Sequence, residues 1–153
     1  MKTIKAHLRK LADRHGTPLF IIDHDAIRRN YRHFKKHLPR VQAYYAVKAN
    51  SDQEIIKTLF DEGCSFDVAS YNEFMQVYEY IKHYEERTRD FYIWDRIIFS
   101  NTIKDRQTLQ KIKKYRPLIT YDNHDELEKI RQHCATAGLV LRLIIAYVLF
   151  PGS

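Results

Sequence analysis

Short apolar stretches alternate with longer stretches of helical period along most of this chain. The short stretches are rich in β-branched and aromatic residues, whereas the longer ones repeat their apolar positions every three or four residues. The predicted strands are, in order, QAYYAV, SFDVAS, RIIFSN, LITYDN and LVLRLII. The helices predicted between them are SDQEIIKTLFDEG, YNEFMQVYEYI, TIKDRQTLQKIKKY and HDELEKIRQHCATA. Such alternation is typical of βαβ units and predicts a parallel sheet.

A lead-in precedes these units. We predict a helix over about 2–14, a strand PLFII (18–22) and a helix over about 25–37. The segment 82–95 is longer and more charged than the other connections, and we expect a helix extension and a surface loop that Trp94 caps.

The junctions agree with this division. Ser51 and Ser70 are each followed three residues later by a glutamate, which is the capping-box pattern of a helix start. Gly63 and Gly138 stand where helices must stop, as left-handed C-caps do.

Four βα pairs and a fifth strand form either half of an eight-fold barrel or a complete, open doubly wound sheet. A closed (β/α)8 barrel needs about 250 residues, and this chain has 153. The expected fold class is therefore α/β with a parallel sheet, a partial TIM (β/α)8 barrel preceded by an N-terminal helix and strand, or the open sheet.

The net charge of +7 permits a polyanionic partner. Most lysines and arginines, however, fall on helical patterns where a solvated face explains them, and the 11 tyrosines form no cluster for stacking bases. We therefore expect no nucleic-acid partner. His33 and His37 have a chelating spacing on a predicted helix, but two histidines leave zinc short of ligands, so we expect no metal.

Cysteine use and hydropathy indicate the compartment. Cys64 and Cys134 lie far apart and form no CxxC, as expected of reduced thiols. The longest apolar run, 139–150, is interrupted by Arg142 and falls short of the roughly 20 residues that span a bilayer. With no leader-like N-terminus either, we expect a cytoplasmic protein without a membrane partner.

Polar residues follow the predicted strands, at the edge where parallel α/β folds bind ligands. They are Lys48, Asp67 with Ser70, Asn101 with Lys104, Asp122 with Asn123, and Arg142. Strand alternation puts Tyr44, Ala46 and Lys48 on one face, with Ala46 small enough to leave room beside the lysine. A desolvated lysine attacks carbonyl carbons. The alternative is that Lys48 reaches solvent and Asp67 holds a loop, and Arg142 is equally open to a structural or an anion-facing role.

A family resemblance enters at these residues. YAVKAN, followed in order by FDVAS, RIIFSNTIK, ITYDNHDELEKI and LVLR, resembles the pyridoxal-phosphate-dependent decarboxylases of the ornithine, arginine and diaminopimelate family. That family has the alanine-racemase-like fold, called fold type III. TPLFIIDHDAIRRNYRHFKKHLP also resembles the family's passage from a β-domain strand into the barrel, so the resemblance runs from Thr17 to Arg142.

The resemblance implies roles for particular residues. Lys48 matches the lysine that forms a Schiff base with pyridoxal 5'-phosphate. Asp67 and Glu73 match acidic residues that order this lysine and its surroundings, which makes these three the expected catalytic residues. Ala46 matches the small residue under the cofactor ring, and Arg142 matches an arginine near the phenolic oxygen, so both are expected cofactor-binding residues together with Lys48.

The family pattern continues beyond what this sequence contains. The stacking histidine, the glycine-rich phosphate loop, the glutamate at the pyridine nitrogen and the C-terminal β-domain have no counterpart, and LIIAYVLFPGS departs from the family. We expect one truncated domain over 1–153, with a lead-in over 1–40, βα repeats over 41–145 and a divergent tail over 146–153. A truncated or frame-shifted gene product is the expected origin.

Three functions remain open. The first is decarboxylation of a basic α-amino acid of the ornithine or lysine type through Lys48, this chain being an N-terminal fragment that is inactive alone. The second is a non-catalytic partner or regulatory fragment that binds a full-length decarboxylase. A self-contained flavodoxin-like phosphate binder ranks last, because no glycine-rich loop follows the first strand.

We also expect self-association through the exposed sheet edges of a half-barrel. The alternative is association through the apolar C-terminal stretch, and the first contacts would be Ile144, Ile145, Tyr147, Leu149 and Phe150.

Overall fold

A computed structural model describes residues 2–142 of the chain, with side chains from residue 6 onward. The helices are α1 Lys2–His15, α2 His24–His37, α3 Gln53–Asp61, α4 Tyr71–Tyr78, α5 Glu86–Arg96, α6 Arg106–Ile112 and α7 His124–His133. The strands are β1 Tyr44–Ala46, β2 Ser65–Val68, β3 Ile97–Phe99, β4 Leu118–Tyr121 and β5 Gly138–Leu141. Short 3-10 helices cover Val47–Ala49 and Lys113–Tyr115.

The strands form one parallel sheet in the order β1-β2-β3-β4-β5. A doubly wound sheet would reverse its strand order at a switch point. The unbroken order therefore decides for the partial barrel over the open sheet, and the α/β prediction is confirmed. One row of the register joins Ala46, Asp67, Ile98, Leu118 and Gly138 across all five strands.

The two faces of the sheet differ in burial because successive side chains alternate between them. Phe66, Ile97, Phe99 and Ile119 are buried in the core with the helices. Asp67, which alternates with these core positions, is only partly buried. The side of the sheet that would line a closed barrel is thus the more open one.

The lead-in is only partly as predicted. Both helices form within a residue of their predicted bounds, but PLFII forms no strand. Phe20 is 82% exposed, and Leu19 and Ile21 are exposed too. The prediction of a strand was wrong because a strand needs a hydrogen-bonded neighbour, and the described part of the chain offers this segment none.

The charged connection before β3 contains a separate helix, α5, where we expected an extension of the preceding helix and a surface loop. Ile93 on this helix is fully buried, and the Tyr92 ring lies 5.6 Å from that of Phe60. Core contacts of this kind stabilise a helix despite its many charges.

Gly138 also differs from its prediction, and the reason is its contact with Trp94. Gly138 does not cap α7 but opens β5, and a Cβ atom placed on it would lie 2.4 Å from the Trp94 ring. Gly138 is therefore needed for close approach of the indole, not for backbone freedom. Gly63, in contrast, has a φ of +77° after α3, as its prediction requires.

Two other features complete the fold. Cys64 and Cys134 are buried and free, and burial raises the pKa of the Cys64 thiol to about 11.

Among residues 2–142 no helix has both the length and the apolar character needed to cross a bilayer. The expected tail contacts lie outside the described residues, and the division of the domain stays a prediction.

Candidate active site at the carboxyl edge of the sheet

Lys48 lies on a turn and not in a strand. β1 ends at Ala46, so the predicted alternation of Tyr44, Ala46 and Lys48 on one face stops before the lysine. Val47 is fully buried and anchors the turn, and the Tyr45 hydroxyl donates a 3.0 Å hydrogen bond to the Asn50 carbonyl. Lys48 itself is exposed, so the structure shows the lysine that reaches solvent and not the desolvated lysine on which the expected reactivity depended. A lysine can therefore follow this strand without being buried, because the chain turns before its side chain would enter the core.

Asp67 stands beside the end of β1, since it pairs in register with Ala46. The Ser100 hydroxyl donates a hydrogen bond to Asp67 Oδ1. The backbone N–H of Ser100 also donates to the Val68 carbonyl at 3.2 Å, which extends the pairing of β2 with β3. The carboxylate is thus held between the ends of two strands.

Glu73 closes the turn between β2 and α4. Its backbone N–H donates to Ser70 Oγ at 3.2 Å, which confirms Ser70 as the N-cap, and its Oε2 accepts from Ala69 N at 2.8 Å. At α3 the prediction was one residue early, because Asp52 and not Ser51 is the N-cap. The role of Glu73 in ordering Lys48 stays a prediction.

Arg142 follows β5 and reaches back along the edge. Its backbone N–H donates to the Tyr121 carbonyl at 2.7 Å. Its guanidinium Nη1 donates to Thr102 Oγ1 at 3.2 Å, so the side chain passes over β4 to the loop after β3. Arg142 is exposed, and a cation at this place can still meet an anionic ligand.

The sequence analysis missed the partner of Lys104. Only 1% of this residue is exposed, its Nζ donates to the Asn101 carbonyl at 2.5 Å, and it lies 3.6 Å from Glu126 Oε2. Burial lowers the pKa of Lys104. Glu126 is buried in the first turn of α7 and also pairs with Lys129. Its place three residues after the N-cap Asn123 was readable in the sequence, but its pairing with Lys104 was not.

These residues lie along one edge of the sheet, from the end of β1 to the end of β5. The edge carries a primary amine on Lys48, a carboxylate on Asp67 and a guanidinium on Arg142, with hydroxyls of Ser100 and Thr102 between them. An amine adds to an aldehyde carbon, and a guanidinium pairs with an anionic oxygen. This edge therefore offers a group that reacts with aldehydes and a group that pairs with anions, spread over five strands.

The structure is a partial α/β barrel with an exposed lysine after its first strand. The sequence profile of the pyridoxal-dependent decarboxylases, pyridoxal binding domain, matches residues 24–146. The chain belongs to this family, as its motifs suggested. Pyridoxal phosphate is the cofactor of the family.

Relatives found by sequence and by structure are consistent with this family. The lysine/ornithine decarboxylase of Selenomonas ruminantium is 29% identical over 139 residues, which are 90% of this chain and 33% of that protein. Antizyme inhibitor 2 of Xenopus laevis is 33% identical over 126 residues, 81% of this chain and 25% of its own length. A crystal structure of SrLDC in complex with PLP and cadaverine matches with a TM-score of 0.77 and 28% identity, covering 95% of this chain and 36% of the other. The chain spans about a third of the length of these relatives or less.

Proposed function

We propose that this chain is the pyridoxal-binding part of a decarboxylase for a basic α-amino acid of the ornithine or lysine type, with Lys48 as the covalent anchor of the cofactor. The observation that carries the proposal is the family match across residues 24–146, within which Lys48 lies exposed at the carboxyl edge of the sheet. The lysine/ornithine decarboxylase relative supports the choice of substrate type.

Three residues would hold the cofactor. Lys48 supplies the amine that bonds to the aldehyde carbon, Ala46 leaves space at the end of β1, and the Arg142 guanidinium supplies positive charge for the phenolic oxygen. When bound, pyridoxal phosphate supplies an electron sink for the electron pair left by the departing CO2.

The acidic residues would prepare the lysine. An amine attacks a carbonyl carbon only after it has passed its proton to a base. Asp67 would hold a positive charge near the end of β1, since its carboxylate is fixed by Ser100. Glu73 would keep the β2–α4 turn in place by accepting a hydrogen bond from Ala69 N, and would therefore affect the site indirectly.

We propose further that this stretch alone binds the cofactor without turning substrate over. It spans about a third of the length of the S. ruminantium relative. The pyridine nitrogen and the phosphate need partners that the motifs matched here do not supply, and without them the ring is a weaker electron sink and is held less tightly.

Borohydride trapping tests the anchor. The purified chain is incubated with pyridoxal phosphate and reduced, and the labelled peptides are mapped by mass spectrometry. We expect one dominant label, on Lys48. The label should disappear in Lys48→Ala and persist in Lys57→Ala, a control that removes an exposed lysine paired with Asp61 on α3. Equal labelling of many exposed lysines would refute the anchor.

Equal labelling of many exposed lysines would favour a non-catalytic role. Antizyme inhibitor 2 is 33% identical over 126 residues of this chain, against 29% over 139 residues for the decarboxylase relative. The alternative proposal is then a partner or regulatory fragment that binds a full-length decarboxylase through the open edges of its sheet.

We also propose that the chain self-associates through those edges. Within residues 2–142, β1 and β5 each pair with one neighbour, which leaves one edge of each strand without a sheet partner. Leu139 and Leu141 on β5 are 46% and 52% exposed. Sedimentation should show a mass that rises with concentration, less so in Leu141→Lys than in the control Leu8→Lys on α1. A mass of 18.4 kDa at every concentration would contradict this.

A further inference from the structure

The loop between β3 and α6 carries two hydroxyl residues, and each contacts a different residue of the proposed site. Ser100 donates to the Asp67 carboxylate on one side of the loop. Thr102, two residues later, accepts from the Arg142 guanidinium on the other side at 3.2 Å. One short segment therefore contacts a residue of β2 and the residue that follows β5, on opposite sides of β3.

The backbone of this loop is fixed independently of those two contacts. At its start, the Ser100 N–H donates to the Val68 carbonyl at 3.2 Å. Further on, the buried Lys104 ammonium donates to the Asn101 carbonyl at 2.5 Å and lies 3.6 Å from Glu126 of α7. The positions of the hydroxyls are thus set by the sheet and by a buried ion pair.

We propose that Ser100 and Thr102 are positioning residues of the cofactor site. Ser100 fixes the orientation of the Asp67 carboxylate, and Thr102 holds the Arg142 guanidinium over the end of β4. This inference rests on the proposed function of Lys48 as the cofactor anchor.

The physical reason is conformational entropy. Arg142 is exposed and long, so without a partner its guanidinium would sample many rotamers, and a ligand would have to bear the cost of ordering it. A hydroxyl on a fixed backbone orders the charge before the ligand arrives. The same reasoning applies to the Asp67 carboxylate, which has two rotatable bonds.

Four variants separate positioning from stability. Thr102→Val and Ser100→Ala remove one hydroxyl each, whereas Thr102→Ser and Ser100→Thr keep it. Thr102 is exposed and Ser100 is partly exposed, so all four should fold. Thermal unfolding is measured for each variant, and a fall in Tm of more than about 4 °C would overturn the proposal in favour of a structural role.

The first readout needs no cofactor. The rate at which phenylglyoxal modifies Arg142 is followed by mass spectrometry, with the exposed Arg131, paired with Glu128, as the internal reference. Thr102→Val should raise the Arg142 rate about two- to tenfold, the range expected for losing one hydrogen bond. Thr102→Ser should restore the original rate.

The second readout is the concentration of pyridoxal phosphate that gives half-maximal trapping at Lys48. We expect it to rise about three- to tenfold in Thr102→Val and in Ser100→Ala, and to recover in the hydroxyl-bearing variants. Unchanged values in both variants, with the wild type trapped at Lys48, would overturn the positioning roles. If the wild type is not trapped there, the proposed function fails, while an unchanged Arg142 rate in Thr102→Val separately overturns the Thr102 contact.

Discussion

Replacing Lys104 with methionine is expected to lower the free energy of unfolding by about 2–3 kcal/mol, because Glu126 keeps its pair with Lys129 but its buried Oε2 loses the Lys104 ammonium. The side chains of Lys104 and Glu126 are 1% and 8% exposed. Glu126 Oε2 has no hydrogen bond of its own, so Lys104 is what offsets the cost of burying that oxygen. Urea denaturation followed by circular dichroism measures the loss.

Two control variants make this prediction specific. Lys57→Met removes a lysine from an exposed pair and should cost about 0–1 kcal/mol. The double variant Lys104→Met/Glu126→Leu removes both buried charges and should recover most of the loss. The account of Lys104 is wrong if its single variant costs no more than Lys57→Met, or if the double variant is less stable than the single one.

Phe66→Ala is expected to destabilise the fold by about 3–5 kcal/mol, whereas Asp67→Ala, the next residue, should cost about 1 kcal/mol. Phe66 is fully buried between β1 and β3, where it pairs in register with Tyr45 and Ile97. Asp67 points to the other face of the sheet and contributes a hydrogen bond with Ser100. The same denaturation experiment compares the two variants.

The effects of the two variants on pyridoxal phosphate trapping should be the reverse of their effects on stability. Asp67→Ala, though folded, should need more pyridoxal phosphate for trapping at Lys48. The folded fraction of Phe66→Ala, measured at low temperature, should be trapped as the wild type is. Equal costs in stability for the two variants would mean that the faces of β2 are not divided into core and site.

Local sequence patterns predicted many of the helices and strands. The apolar stretches of β2 and β4 and the helical periods of α3 and α7 lie in consecutive residues, so propensity and amphipathic spacing predict them directly. Ser70 and Gly63 were readable for the same reason, because a cap acts within one turn of its own helix.

Long-range contacts explain what was missed. PLFII has strand propensity, yet no neighbouring strand pairs with it within residues 2–142. The charged segment of α5 forms a helix because its Ile93 side chain is buried in the core. Gly138 looks like a helix stop in sequence, but its role comes from Trp94, which lies far away along the chain.

The sequence by itself determined the class of this protein: the alternation of strands and helices, the lysine after the first strand, and the motifs that place it among the pyridoxal-dependent decarboxylases. Only the tertiary structure decided that the strands run in unbroken order, that Lys48 is exposed on a turn, and that Lys104 is buried against Glu126. The reason is one of range. Periodicity and capping act over a few neighbouring residues, whereas strand order and charge burial depend on groups brought together by the whole core.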